Sequence, residues 1–84
     1  MRYSLRQLEV FLACAHYQNV SRAAESLNMS QSAASTALKE FEQQFDLRLF
    51  ERTGKRLRLN ELGRQLWPRA EELLERAREL EATL

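Results

Sequence analysis

The sequence predicts a mainly α chain: three helices and a two-stranded β-hairpin, then one long helix. Three features predict it. Apolar residues recur at three- and four-residue steps through most of the chain, the period of a helix. The stretch LRLFERTGKRLRLN switches to a two-residue alternation on either side of Gly54, the period of a strand. After Asn60 an apolar repeat runs from Leu66 to Leu84, in a helix that Pro68 interrupts. The 84 residues include two glycines and one proline, so they make one mostly helical domain whose small core is helped by self-association.

The first helix carries Leu5, Leu8, Phe11, Leu12 and Ala15 on one stripe and runs to about Tyr17. Ser4 and Gln7 form a capping box at its start, each side chain satisfying the other residue's backbone donor. Cys14, the only cysteine, lies on this apolar face and reads as a buried core thiol; His16, the only histidine, reads as a helix-end residue. Asn19-Val20-Ser21 then offers a turn and a new N-cap, with the Ser21 hydroxyl a candidate for that cap. A short second helix carries Ala23, Ala24 and Leu27, and Asn28 ends it in the left-handed conformation. Met29 plugs inward and Ser30 caps a third helix, 31–45, with Ala33, Ala34, Ala37, Leu38, Phe41 and Phe45 on its inner side. Two short helices at so tight a turn make a helix-turn-helix, and the alanines let them cross closely.

The outward face of the third helix is Gln31, Ser32, Ser35, Thr36 and Lys39. These are short polar groups with one cation, not the Glu/Lys pairs of an ordinary solvated helix. Residues of this kind, at the start of such a helix, read base edges in helix-turn-helix proteins. The alternation of Leu47 and Leu49 with Leu57 and Leu59 predicts a β-hairpin, its tip at 53–56 with Gly54 at positive φ. Asn60 caps the last helix, about 24 residues and about 36 Å long. Leu66, Ala70, Leu73, Ala77, Leu80 and Leu84 follow the 4-3-4-3-4 spacing of a coiled-coil seam, which a second copy would bury. Pro68 removes one hydrogen bond and kinks this helix, and Trp67 beside it is a packing anchor.

A net charge of +1 conceals an asymmetry. Residues 1–45 hold four cations and four anions, 46–69 hold seven cations and three anions, and 70–84 hold two and five. A concentrated basic segment of this sort meets polyanions. Enzyme chemistry is excluded: there is no metal-ligand cluster, no Gly-rich phosphate loop and no Ser/His/Asp arrangement. The glutamates of the last helix are a solvated flank of the seam. Without a signal-peptide pattern or a membrane-length apolar run, a cytoplasmic location is expected.

Taken in order, LRQLEVFLACA, SRAAESLNMSQSAAS, LRLFERTGKRLRLNELG and the Pro68 helix resemble the N-terminal DNA-binding region of LysR-type transcriptional regulators. The resemblance covers essentially the whole chain, and the combination of RAAESL, SQ-x-A-x-S and LFER is highly specific. It implies a winged helix-turn-helix, residues 1–60, followed by a dimerising linker helix, 61–84. It also implies that Ser21 and Arg22 touch phosphates. Gln31, Ser32, Ser35 and Thr36 would face the major groove, and Lys55 would approach the minor groove. Ser32 stands where the family usually has proline, Thr36 where arginine is usual, and Ala37 where glutamine is common. Thr36 therefore lacks the side chain best suited to grip guanine, which shifts sequence preference away from the family norm.

The expected function is sequence-specific binding of double-stranded DNA, at an inverted-repeat operator, by a homodimer joined through Leu66, Ala70, Leu73, Ala77, Leu80 and Leu84. Gln31 is the candidate reader of adenine; Ser35 and Thr36 are shorter-range readers. Lys39, Arg52, Lys55 and Arg56 supply cations, though Glu51 and Glu61 compete for Arg52. No cofactor is expected, no membrane partner, and no small-molecule effector site. The family normally continues into a sensing domain, and an end in mid-seam at Leu84 favours an excised DNA-binding domain. The alternative function is a protein-interaction module whose seam pairs with a full-length regulator. On the first reading, the protein sits on the nucleoid.

Overall fold

In a computed structural model describing residues 2–84, four helices and one hairpin follow in the order α1 (Leu5–Tyr17), α2 (Val20–Ser26), α3 (Gln31–Gln44), β1 (Phe50–Thr53), β2 (Arg56–Leu59) and α4 (Glu61–Thr83). The two strands are antiparallel. Each helix starts on a polar side chain that satisfies a free backbone donor. Ser4 accepts from the Gln7 amide and receives the reciprocal bond, completing the capping box. Ser30 accepts from the Ala33 amide and Asn60 from that of Gly63. The cap of α2 is Asn19 and not Ser21: the Asn19 carboxamide accepts the Arg22 amide, so the helix begins earlier and the Ser21 hydroxyl takes no part in the cap.

The turn between α2 and α3 is built by Asn28, which takes φ 56° as the pattern implied. The Met29 amide reaches back to the Ala24 carbonyl, closing the turn against the small residues at the crossing. Ala23, Ala24 and Ala34 are buried there, whereas Ala33 is exposed. Ala33 is one residue, or about 100°, off the Ala34–Leu38–Phe41 stripe, so it belongs to the outer face. The predicted helix 31–45 ends one residue sooner, with Phe45 as its half-exposed C-cap.

Phe11, Leu38, Leu49, Val10 and Cys14 are the largest fully buried side chains. The Phe11 ring lies 6.0 Å from Phe41 and 5.7 Å from Phe50, so one side chain joins α1, α3 and β1. Burial pushes the Cys14 thiol up to about 11, with the Arg52 charge opposing and Glu42 adding to the rise. An unfolded thiol ionises near its ordinary 9.0. Between these two values the unfolded state holds fewer protons, so stability is expected to fall as pH rises from about 9 to about 11, by about 2–3 kcal/mol in all. Urea titrations at pH 8.5 and 10.5 check this, and Cys14→Ala should lack that component of the decline.

The hairpin starts later than the leucine alternation implies. Leu47 and Leu49 precede β1, in an extended connection that turns at Asp46 (φ 50°). The Glu42 carboxylate accepts the Leu49 amide at 2.8 Å and holds this connection to α3. Pairing runs Phe50↔Leu59, Glu51↔Arg58, Arg52↔Leu57 and Thr53↔Arg56. Gly54, at φ 61°, is the first central residue of the two-residue turn, where a type II′ hairpin requires positive φ.

The last helix runs unbroken through Pro68. Its first half closes the core on α1: Gly63, Ala70 and Leu74 are buried, and Leu66 is half-buried against the core. Ala70 therefore does not lie on an open seam. Leu74, absent from the predicted repeat, is the fourth-residue partner of Ala70 on the intrachain stripe. From Leu73 onward three of the positions predicted as a seam are exposed in the single chain, Leu73 at 38%, Leu80 at 63% and Leu84 at 96%. At Gly63 a Cβ would collide with the Leu49 carbonyl oxygen and come within 2.8 Å of the Leu59 side chain. That same carbonyl accepts the Asn60 amide at 2.9 Å. Gly63→Ala is expected to cost about 1–3 kcal/mol, overpacking a backbone contact that cannot move cheaply, against a helix-propensity gain of at most about 1 kcal/mol. A drop in the melting temperature measures it.

Candidate nucleic-acid interface

Of the residues singled out on the sequence as DNA contacts, Ser21, Gln31, Ser35, Lys39, Arg52 and Lys55 line two adjoining grooves. Gln31 is the first residue of α3, and Ser32, Ser35, Thr36 and Lys39 follow on its exposed face. Between this face and the hairpin lies a groove lined by Asn19, Ser21, Gln31, Ser35, Arg52, Gly54 and Lys55, with Val20 and Leu57 at its floor. A second groove continues it along α3 and is lined by Ser35, Lys39, Gln43, Arg48 and Arg52, together with Leu47, Phe50 and the Glu42 carboxylate that accepts the Leu49 amide. Ser35 and Arg52 border both, so α3 and the wing form one continuous surface in which cations outnumber the single carboxylate of Glu42. Arg22 stands apart, beside Tyr17, Glu25 and Ser26. Neither groove includes Ser32 or Thr36 among its lining residues.

The hairpin register decides where its cations point. Side chains alternate faces along a strand, so Arg52 shares a face with Phe50, Leu57 and Leu59, the face turned to the core and to α3. Glu51 lies on the opposite face, across from Arg58. Arg52 is thus turned away from the carboxylate next to it in sequence. The two ion pairs among the described residues are Arg6–Glu9 and Arg76–Glu79, and Arg52 is in neither. Arg56 is held otherwise: its guanidinium donates to the Gln18 side-chain oxygen at 3.2 Å, and Gln18 is the left-handed cap of α1. A neutral acceptor leaves the charge of Arg56 intact while fixing its position.

One bond ties the two helices of the motif at their polar ends. The Ser21 hydroxyl donates to the Gln31 side-chain oxygen at 2.9 Å. The sequence reading missed Arg48, which stands with Lys39 and Arg52 along the second groove. Its place in the basic segment was the available signal, but the loop that carries it is shaped by Glu42 and Asn60. The latter donates to the Arg48 carbonyl at 2.8 Å.

The family model of the bacterial regulatory helix-turn-helix proteins, lysR family, matches residues 5–64. The chain belongs to this LysR family. It is similar to the uncharacterized HTH-type transcriptional regulator YeiE of Escherichia coli K12, 49% identical over 81 residues, covering 96% of this chain and 28% of that protein. It is also 42% identical over 84 residues to the RuBisCO operon transcriptional regulator of Allochromatium vinosum, covering 100% of this chain and 28% of that one. The LysR-family fold superposes on the CbnR DNA-binding domain in its DNA complex with a TM-score of 0.88 and 28% identity, over 95% of this chain and 92% of that one. The chain spans less than a third of the two regulators' length. Its relatives are LysR-type regulators and not enzymes, and its winged helix-turn-helix is the fold of their DNA-binding part.

Proposed function

We propose that this LysR-family chain binds double-stranded DNA sequence-specifically as a dimer, with α3 in the major groove and the 53–56 tip at the minor groove. The observation that carries the reading is the shared surface of α3 and the wing. There, exposed short polar side chains at a helix start lie beside Lys39, Arg48, Arg52 and Lys55, and none of these four is held in an ion pair among the described residues. The CbnR domain it resembles was solved with DNA bound. Residues 1–60 do the reading and 61–84 join two copies, the first half of the last helix also completing the core. Its exposed Leu73, Leu80 and Leu84 supply the pairing face, and two copies call for an inverted-repeat operator. DNA on the nucleoid places the protein in the cytoplasm, and no helix among the described residues is long and apolar enough to cross a membrane.

Fluorescence anisotropy on a random duplex pool, over a salt series and with sequencing of the bound fraction, tests this. An enriched inverted repeat with steep salt dependence supports it; a folded protein that binds no duplex near physiological salt overturns it. Arg52→Ala is expected to weaken binding about equally for all sequences and to flatten the log–log salt slope by about 1 per half-site. The exposed leucines would equally pair with a full-length relative, as the interaction-module reading requires. Loss of operator binding on mixing with such a relative, in place of a homodimer's own binding, would favour that reading.

A further inference from the structure

We infer that the second groove is a separate site for a backbone phosphate, outside the base pairs read by the start of α3, with Lys39 and Arg48 as its cations. This rests on the DNA-reading function proposed above. Three observations meet here. Gln31, Ser35, Lys39 and Gln43 are exposed and four residues apart, so they form one ridge along α3. Gln31 and Ser35 line the first groove, whereas Ser35, Lys39 and Gln43 line the second, so the ridge leads from one into the other. Arg48, exposed on the connection between α3 and β1, brings a further cation to the second groove alone.

Length and chemistry set this site apart from the reading end. The ridge rises about 18 Å from Gln31 to Gln43, against a major groove about 12 Å wide. With the first turns of α3 against base edges, the far turns reach the rim of the groove, where the phosphates stand. The side chains change to match. The start of α3 offers the neutral Gln31, Ser32, Ser35 and Thr36; the second groove offers Lys39 and Arg48, whose long cationic side chains suit phosphate oxygens. Neither is held in an ion pair among the described residues. One group in the groove opposes an anion, the Glu42 carboxylate. Its oxygen accepts the Leu49 amide at 2.8 Å and so fixes the connection that carries Arg48. Glu42 therefore shapes the site while its charge weakens it.

The test uses the full chain and the duplex enriched from the random pool, with single phosphates replaced in turn by neutral methylphosphonates. Arg48→Ala is expected to weaken binding about fivefold per half-site and to lower the salt slope by about 1, with the enriched sequence unchanged. At one phosphate outside the enriched base pairs, the neutral linkage and Arg48→Ala should cost no more together than either does alone. Lys39→Ala should show the same non-additivity at that phosphate or the next. Glu42→Gln keeps an oxygen for the Leu49 amide and removes the charge. It is expected to tighten binding about threefold, and to lose that gain on the duplex carrying the neutral linkage. Losses from Arg48→Ala that add to those of every neutral linkage outside the enriched pairs overturn the inference. So does an Arg48→Ala protein that enriches a different sequence, or a folded Glu42→Gln protein that binds no more tightly. A wild-type chain that enriches no sequence is a different failure, since it removes the DNA-reading function itself. Circular dichroism separates these outcomes from unfolding, which Arg48→Ala should not cause, because Asn60 holds the Arg48 carbonyl and not its side chain.

Discussion

Replacing Leu73 and Leu80 together by aspartate is expected to give a folded monomer that binds a two-half-site operator about 10²- to 10⁴-fold more weakly than the parent. Leu80 is 63% exposed in the single chain; Leu73 is 38% exposed and its inner side borders the apolar cleft of Phe41, Leu66 and Ala70, so part of the cost of its replacement falls on the edge of the core. What is lost is the apolar face that two copies would share. Opposed carboxylates across that face repel, and a coiled-coil seam tolerates charge poorly at its inner positions. Binding of the second half-site then becomes bimolecular again, which is where the large factor arises. Three readouts belong together: sedimentation equilibrium for mass, circular dichroism for fold, and anisotropy on operators with one and two half-sites. The double variant should treat the two operators almost alike, with a shallower salt slope than the parent shows on the full site. A variant that stays dimeric would move the interface elsewhere on the chain.

Phe11→Ala is expected to cost about 3–5 kcal/mol. The ring is fully buried and bridges to Phe41 of α3 and Phe50 of β1. An 84-residue domain has only about 4–13 kcal/mol of stability in total, so the variant should be partly unfolded at ambient temperature. Urea denaturation should show a midpoint moved far to the left with a little-changed slope. The placement of the ring adds a functional consequence. It is a common anchor for the recognition helix and the wing, so at low temperature, where the chain still folds, DNA affinity should drop with no DNA-facing group altered. Phe11→Leu, which fills most of the volume, should recover most of both properties.

Much of this fold was legible because its signals are local. The Ser4–Gln7 box, the Asn28 turn, the Ser30 and Asn60 caps and the positive φ of Gly54 each depend on residues within four positions of one another, and all are found as read. The failures come where distant groups decide. Leu47 and Leu49 alternate as a strand does, but the Glu42 carboxylate takes the Leu49 amide and Asp46 turns the chain, so β1 begins at Phe50. In α4 a repeat averaging 3.5 residues and a stripe of 3.6 coincide at first and then diverge. The former led to the seam at Leu73, Ala77 and Leu80; the latter takes Ala70 and Leu74 into the protomer's own core. At the candidate interface the polar face of α3 was visible as a pattern. The direction of Arg52, the arrival of Arg48 and the Ser21–Gln31 bond were not, since each is set by the register or packing of a second element.

The absence of a side chain at Gly63 has a mechanical meaning. It seats the foot of the last helix directly on the backbone at Leu49, the residue just before the paired wing, with the Asn60 amide locked to the same carbonyl. The helix is then a strut of 23 residues, about 35 Å long, clamped at its base. A tilt of about 5° at such a clamp moves the far end by about 3 Å, close to the rise of one base pair. In the dimer proposed above, operator geometry would be gauged at this joint: the stiffness of a single backbone contact, far from any base, would set how much variation in half-site spacing the pair tolerates.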